Sequence, residues 1–100
     1  MSNLRRYLLK LSGKSARAKI ARLPNWTLRG NAIASSLRFT DFTDAMRFVN
    51  RVARLAEAAN HHPDIAISYN KVRLALTTHD ENGLTEKDFK LARKINKLRK

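Results

Sequence analysis

Apolar positions recur in two rhythms along the chain, one of period two and one of spacing three and four. Ile65, Ile67 and Tyr69 alternate with Ala66 and Ser68, while Val72, Leu74 and Leu76 alternate with Arg73, Ala75 and Thr77. That is the pattern of two half-buried strands. Asn70-Lys71 is left between them as a turn, and a two-residue loop there sets Tyr69 opposite Val72, Ile67 opposite Leu74 and Ile65 opposite Leu76. Carried outward, this register brings His62 opposite His79, with His61 one residue beyond. An earlier hairpin is predicted from Trp26-Thr27-Leu28, a Gly30-Asn31 turn, and Ala32 to Phe39 with Ile33, Ser35, Leu37 and Phe39 on one face.

The helical rhythm marks four segments. Leu4, Leu8 and Leu11 suggest an amphipathic amino-terminal helix or arm, and Ser15 can cap a short helix from Ala16 to Leu23 that Pro24 stops. Phe42, Ala45, Met46, Val49, Val52, Ala53 and Ala56 mark a long central helix capped by Thr40 or Asp41. Its carboxyl end leads into His61-His62, and Pro63 forces the chain there into an extended form. Thr85-Glu86-Lys87-Asp88 reads as a capping box opening a last helix lined by Phe89, Leu91, Ala92, Ile95 and Leu98. The order α-β-β-α-β-β-α argues an α+β fold, with a four-stranded antiparallel sheet covered on one face by helices.

One hundred residues suit a single domain spanning 1–100, with 1–13 as a basic extension. The chain has no cysteine and no apolar run of membrane-spanning length, which fits a cytoplasmic protein. The acid-free stretch from Met1 to Leu23, with seven Lys or Arg, leaves an organelle transit peptide as the alternative. A formal charge of +13 would ordinarily favour an anionic partner such as RNA. Many of the cations stand at the two chain ends, however, and those late in the last helix suit its dipole without any nucleic acid.

All three histidines fall between Glu57 and Asp88. The simplest reading is exposed side chains beside a turn. A metal site is weakly supported, since there is no cysteine and adjacent histidines rarely ligate one ion together. Proton transfer fits better, because an ordinary imidazole titrates near pH ~6.5 and works in both directions at neutrality. Glu57 and Asp88 are placed to orient the rings, Glu57 lying one helical turn before His61. Asp88 also has a purely structural role open to it as part of the capping box.

The run Glu57, three residues, His61-His62-Pro63, five residues, Tyr69, nine residues, His79, eight residues, Asp88 resembles the signature of the pterin-4a-carbinolamine dehydratases, also called dimerisation cofactors of a homeodomain transcription factor. The likeness extends to Trp26, to Phe39-Thr40-Asp41-Phe42 and to the run from Thr78 to Thr85, while Glu81-Asn82 departs from it. It implies an enzyme of tetrahydrobiopterin recycling that removes water from a 4a-hydroxytetrahydropterin without metal or redox cofactor. It further implies His61 and His79 in proton transfer, His62 holding the pterin, Glu57 and Asp88 orienting, and Pro63 and Trp26 beside the substrate. Homodimers or homotetramers and a further protein partner are implied as well. A non-catalytic assembly module and a small basic nucleic-acid-binding protein are the competing readings, although nucleic acid is not the expected partner.

Overall fold

The computed structural model describes residues 9–99. Its elements follow in the order α1 (Gly13–Ile20), β1 (Thr27–Arg29), β2 (Ala32–Arg38), α2 (Phe42–Ala59), β3 (Asp64–Ser68), β4 (Lys71–Leu76), a 3₁₀ turn (His79–Glu81) and α3 (Glu86–Lys97). The strands form one antiparallel sheet in the order β1-β2-β4-β3. The α+β architecture is as expected.

The amino-terminal helix suggested by Leu4 and Leu8 falls on residues outside those described. Leu11 is not helical: its N–H donates to the Leu84 carbonyl at 2.7 Å. The cap of α1 is Ser12 rather than Ser15, because the Ser12 hydroxyl accepts the Ser15 N–H at 3.1 Å and so starts the helix at Gly13. The helix then ends at Ile20, and Leu23 packs into the core from the turn that follows.

The long helix α2 is capped by Asp41, whose carboxylate accepts the Asp44 N–H at 2.9 Å. An oxygen acceptor at this position satisfies one of the donors that a helix start leaves unpaired. Ala45, Phe48, Val49, Val52 and Ala56 form its buried stripe, while Arg47, Arg51 and Arg54 face outward. Phe42 and Ala53, both expected in the stripe, are exposed, Phe42 at the first position of the helix. The helix terminates because Asn60 adopts the left-handed conformation, with φ 51°, which a short polar side chain tolerates.

The sheet buries one face. On β4, Val72, Leu74 and Leu76 are buried and Lys71 and Arg73 exposed, and Ile33 of β2 joins the buried side. Phe89, Leu91, Ala92 and Ile95 of α3 complete the core with the α2 stripe. Trp26 packs there too, its indole N–H donating to Asn96 Oδ1 at 2.9 Å. Among the described residues, no helix is long and apolar enough to cross a membrane.

The second hairpin corrects the expected register. Ile65 pairs with Leu74, Ile67 with Val72 and Ser68 with Lys71, so the turn is Tyr69-Asn70 rather than Asn70-Lys71. The cause lies outside the hairpin. Asn70 donates its side-chain amide to the Phe39 carbonyl at 2.9 Å and accepts the Phe39 N–H on its own carbonyl at 2.8 Å, which fixes it within the loop. Tyr69 takes the positive φ of 54°. A slip of two residues leaves every side chain on its original face, so the apolar face survives the change. The pairing of His62 with His79 does not, since β3 begins only at Asp64.

Candidate active site

The end of α2 and the segment after β4 meet at one depression of about 220 Å³, lined by His61, His62, Thr78, His79, Asp80 and Lys87 among others. The three imidazoles are thus gathered by the α2 terminus and the 3₁₀ turn, instead of by strand pairing. The reversal at Asn60 sends consecutive histidines in opposite directions. His61 turns inward and is buried; His62 stays exposed.

Each of these two rings is held by a carboxylate, though not in the expected pairing. His61 Nε2 lies 2.5 Å from Asp88 Oδ1, and His62 Nε2 lies 2.5 Å from Glu57 Oε2. Glu57, placed by its spacing beside His61, therefore holds His62. Both side chains of the His62–Glu57 contact are largely in solvent, 55% and 78% exposed, so water screens the pair and its contribution is small. The His61–Asp88 contact is sequestered from water.

Asp88 is fully buried and fully used. Its Oδ2 accepts the Thr85 N–H at 2.9 Å and the Thr78 hydroxyl at 2.9 Å, while Oδ1 faces His61. Thr78 spends its single hydroxyl proton on Asp88, so in the 2.8 Å contact between the two hydroxyls it is Thr85 that donates. The Thr85 hydroxyl in turn accepts the Lys87 N–H at 3.2 Å. A buried polar cluster is stable only when each member finds a partner, and no buried side-chain polar atom here is left without one among the described residues. The capping box and the histidine anchor are therefore one structure. With the carboxylate fixed on Nε2, Nδ1 is the nitrogen of His61 available to exchange a proton.

His79 begins the 3₁₀ turn, is exposed, and makes no side-chain hydrogen bond or ion pair among the described residues. Pro63 is half-buried directly after His62. Trp26 is not brought to this depression; it lines a separate one with Thr27, Arg29 and Arg73. Thr78 was not singled out from the sequence as part of the site. A hydroxyl in phase with Val72, Leu74 and Leu76, two residues past the strand, is its local signal.

The fold and the sequence both have counterparts among known proteins. The family model described as pterin 4 alpha carbinolamine dehydratase matches residues 9–98. A protein of Chloroflexus aurantiacus, provisionally named pterin-4-alpha-carbinolamine dehydratase, is 53% identical over 89 residues, covering 89% of this chain and 96% of its own. A relative of the same provisional name from Sulfurisphaera tokodaii is 45% identical over 89 residues, with the same two coverages. Among solved structures, a transcriptional coactivator/pterin dehydratase from Brucella melitensis superposes with a TM-score of 0.85 at 38% identity, covering 89% of this chain and 97% of that one. A pterin dehydratase-like RuBisCO assembly factor of the alpha-carboxysome shares the fold alone, with a TM-score of 0.61 at 19% identity over 73% of this chain and 84% of that one. On the family match and these identities, the chain belongs to the pterin-4-alpha-carbinolamine dehydratase family.

Proposed function

We propose that the protein catalyses loss of water from a 4a-hydroxytetrahydropterin, giving the quinonoid dihydropterin, as a step in tetrahydropterin recycling. The single observation that supports this most is the meeting of His61, His62 and His79 on one depression, with two rings oriented by carboxylates. In the reaction the bond from C4a to the hydroxyl oxygen breaks. The oxygen leaves as water after taking a proton from an acid, and a base removes a proton from a ring nitrogen. A positioned imidazole serves either role, typically contributing about 10²- to 10⁴-fold. By family analogy His61 and His79 exchange these protons and His62 holds the pterin. The anchored ring of His61 suits a group whose proton must leave from a fixed nitrogen, and the exposed ring of His79, without a polar partner among the described residues, suits one that reorients with the substrate. A depression below the ~300–1,000 Å³ of drug-sized pockets fits one bicyclic ring with its side chain in solvent.

The test is to generate the 4a-hydroxytetrahydropterin in a stopped-flow cell and follow quinonoid dihydropterin by absorbance with and without protein. Acceleration at catalytic protein concentration is expected. An unchanged rate of water loss would remove the proposal.

A role in assembly has its own observation. Ile65 and Ile67 of β3 point to the helix-covered side of the sheet yet are 37% and 39% exposed, and β3 is a sheet edge. An unpaired edge beside exposed isoleucines favours pairing with another chain, and a homodimer or homotetramer is the expected outcome. Light scattering is expected to give an oligomeric mass that Ile67→Lys reduces; a monomeric mass for the unaltered protein would count against it.

A further inference from the structure

We infer that the uncovered face of the sheet is a docking surface for the phosphodiester backbone of double-stranded nucleic acid. The strand register puts Arg29, Arg38, Lys71 and Arg73 on that face, with small side chains such as Ala34 and Ser36 between them, because each is in phase with exposed Arg73 and out of phase with buried Leu74. Its floor is built of alanine and serine, and four cations rise from it.

Arg38 stands directly opposite Lys71 on the neighbouring strand, with Arg73 next along β4 and in phase with both. Like charges directly across a strand pair oppose folding, so this arrangement works against the sheet unless something negative covers it. Nothing among the described residues does. None of Arg29, Arg38, Lys71 and Arg73 makes a side-chain hydrogen bond or ion pair among the described residues, and the one acid in phase with them is Asp64, at the start of the edge strand. The surplus of charge read from the sequence as belonging to the chain ends is thus also concentrated in the middle of the fold.

Shape agrees with charge. Two open troughs, about 570 and 580 Å³, share Ser36 and Arg73 and so form one groove across the strands. Arg38 and Lys71 line one end of it, Arg29 the other. Small side chains let a polymer backbone come close to the sheet. Three of the four cations are arginines, whose planar fork matches two phosphate oxygens at once. Among the described residues no aromatic side chain occupies a strand position of this face, the exposed ring of Tyr69 lying in the hairpin turn, which favours a duplex over a single strand and backbone contact over reading of sequence. A second copy of the same face is excluded as occupant by the repulsion between identical cationic surfaces.

Fluorescence anisotropy with a labelled mixed-sequence DNA duplex of about 20 base pairs, titrated between roughly 50 and 200 mM salt, tests the assignment. Affinity is expected to fall steeply with salt. Neutralising the face in the combined variant Arg38→Gln, Lys71→Gln and Arg73→Gln is expected to weaken binding at least about tenfold and to lower the slope of log affinity against log salt by about 0.9 per lost phosphate contact. A control carrying Arg47→Gln, Arg51→Gln and Arg54→Gln on α2 has the same net charge, and should bind like the unaltered protein. Should the triple variant not fold, Arg73→Gln alone, at the junction of the troughs, is expected to lower the slope by about 0.9. Equal weakening in both triple variants, or absence of duplex binding, overturns the inference. Displacement of the duplex by polyglutamate at equal charge concentration would assign the face to an acidic polypeptide and overturn it as well.

Discussion

Replacing Asp88 by asparagine is expected to leave a folded protein whose turnover of 4a-hydroxytetrahydropterin falls about 10²- to 10⁴-fold, the range an imidazole of correct protonation ordinarily contributes. The asparagine oxygen can still accept from Thr85 N–H and the Thr78 hydroxyl, as Asp88 Oδ2 does. Its amide NH₂ then faces His61 Nε2, where Oδ1 stood. Two donors cannot share that contact, so His61 must turn Nε2 into an acceptor and carry its proton on Nδ1. The ring stays in place with its proton on the wrong atom. Stability should fall by about 1–3 kcal/mol as charge-assisted bonds to a buried group are lost. Nitrogen chemical shifts of the imidazole would show the exchanged tautomer, and a loss in kcat larger than any change in KM would place the defect in proton transfer. Full turnover with asparagine would mean that Asp88 serves only as a helix cap.

His79→Ala separates activity from stability from the other direction. The side chain is exposed and touches no polar partner among the described residues, so its removal should change stability by no more than about 0.5 kcal/mol. The 3₁₀ turn itself is held by backbone bonds, Glu81 N–H to the Thr78 carbonyl and Asn82 N–H to that of His79, which alanine retains. Turnover is nonetheless expected to fall by about 10²-fold or more, because the depression loses the ring best able to follow a moving proton. Melting followed by circular dichroism, alongside the turnover assay, checks both halves. Unchanged turnover would make His79 a bystander at the rim.

Much of this was legible in the sequence because the relevant rules are local. The α2 stripe, the alternation of β4 and the Thr85-to-Asp88 capping box each depend on residues within a turn or two of one another. What failed depended on contacts between distant segments. The turn at Tyr69-Asn70 is set by Phe39, which no reading of the hairpin alone can supply. The exchange of partners, Asp88 to His61 and Glu57 to His62, follows from one left-handed residue, Asn60, that splits two adjacent histidines. Helical spacing predicts neighbours only while the helix continues. The resemblance sets Trp26 beside the substrate, but the bond of its indole to Asn96 on α3 draws it into the core.

The cationic face has a consequence apart from any ligand. A layer of small side chains on an uncovered sheet is flat enough for another sheet to lie against it, and such stacking is how fibrils begin. Arg29, Arg38, Lys71 and Arg73 break up that flatness with long, strongly hydrated groups of one sign, so that approaching copies repel before their strands touch. The charge that strains the sheet locally also keeps it a single layer, and a fold this small can leave half of its sheet bare.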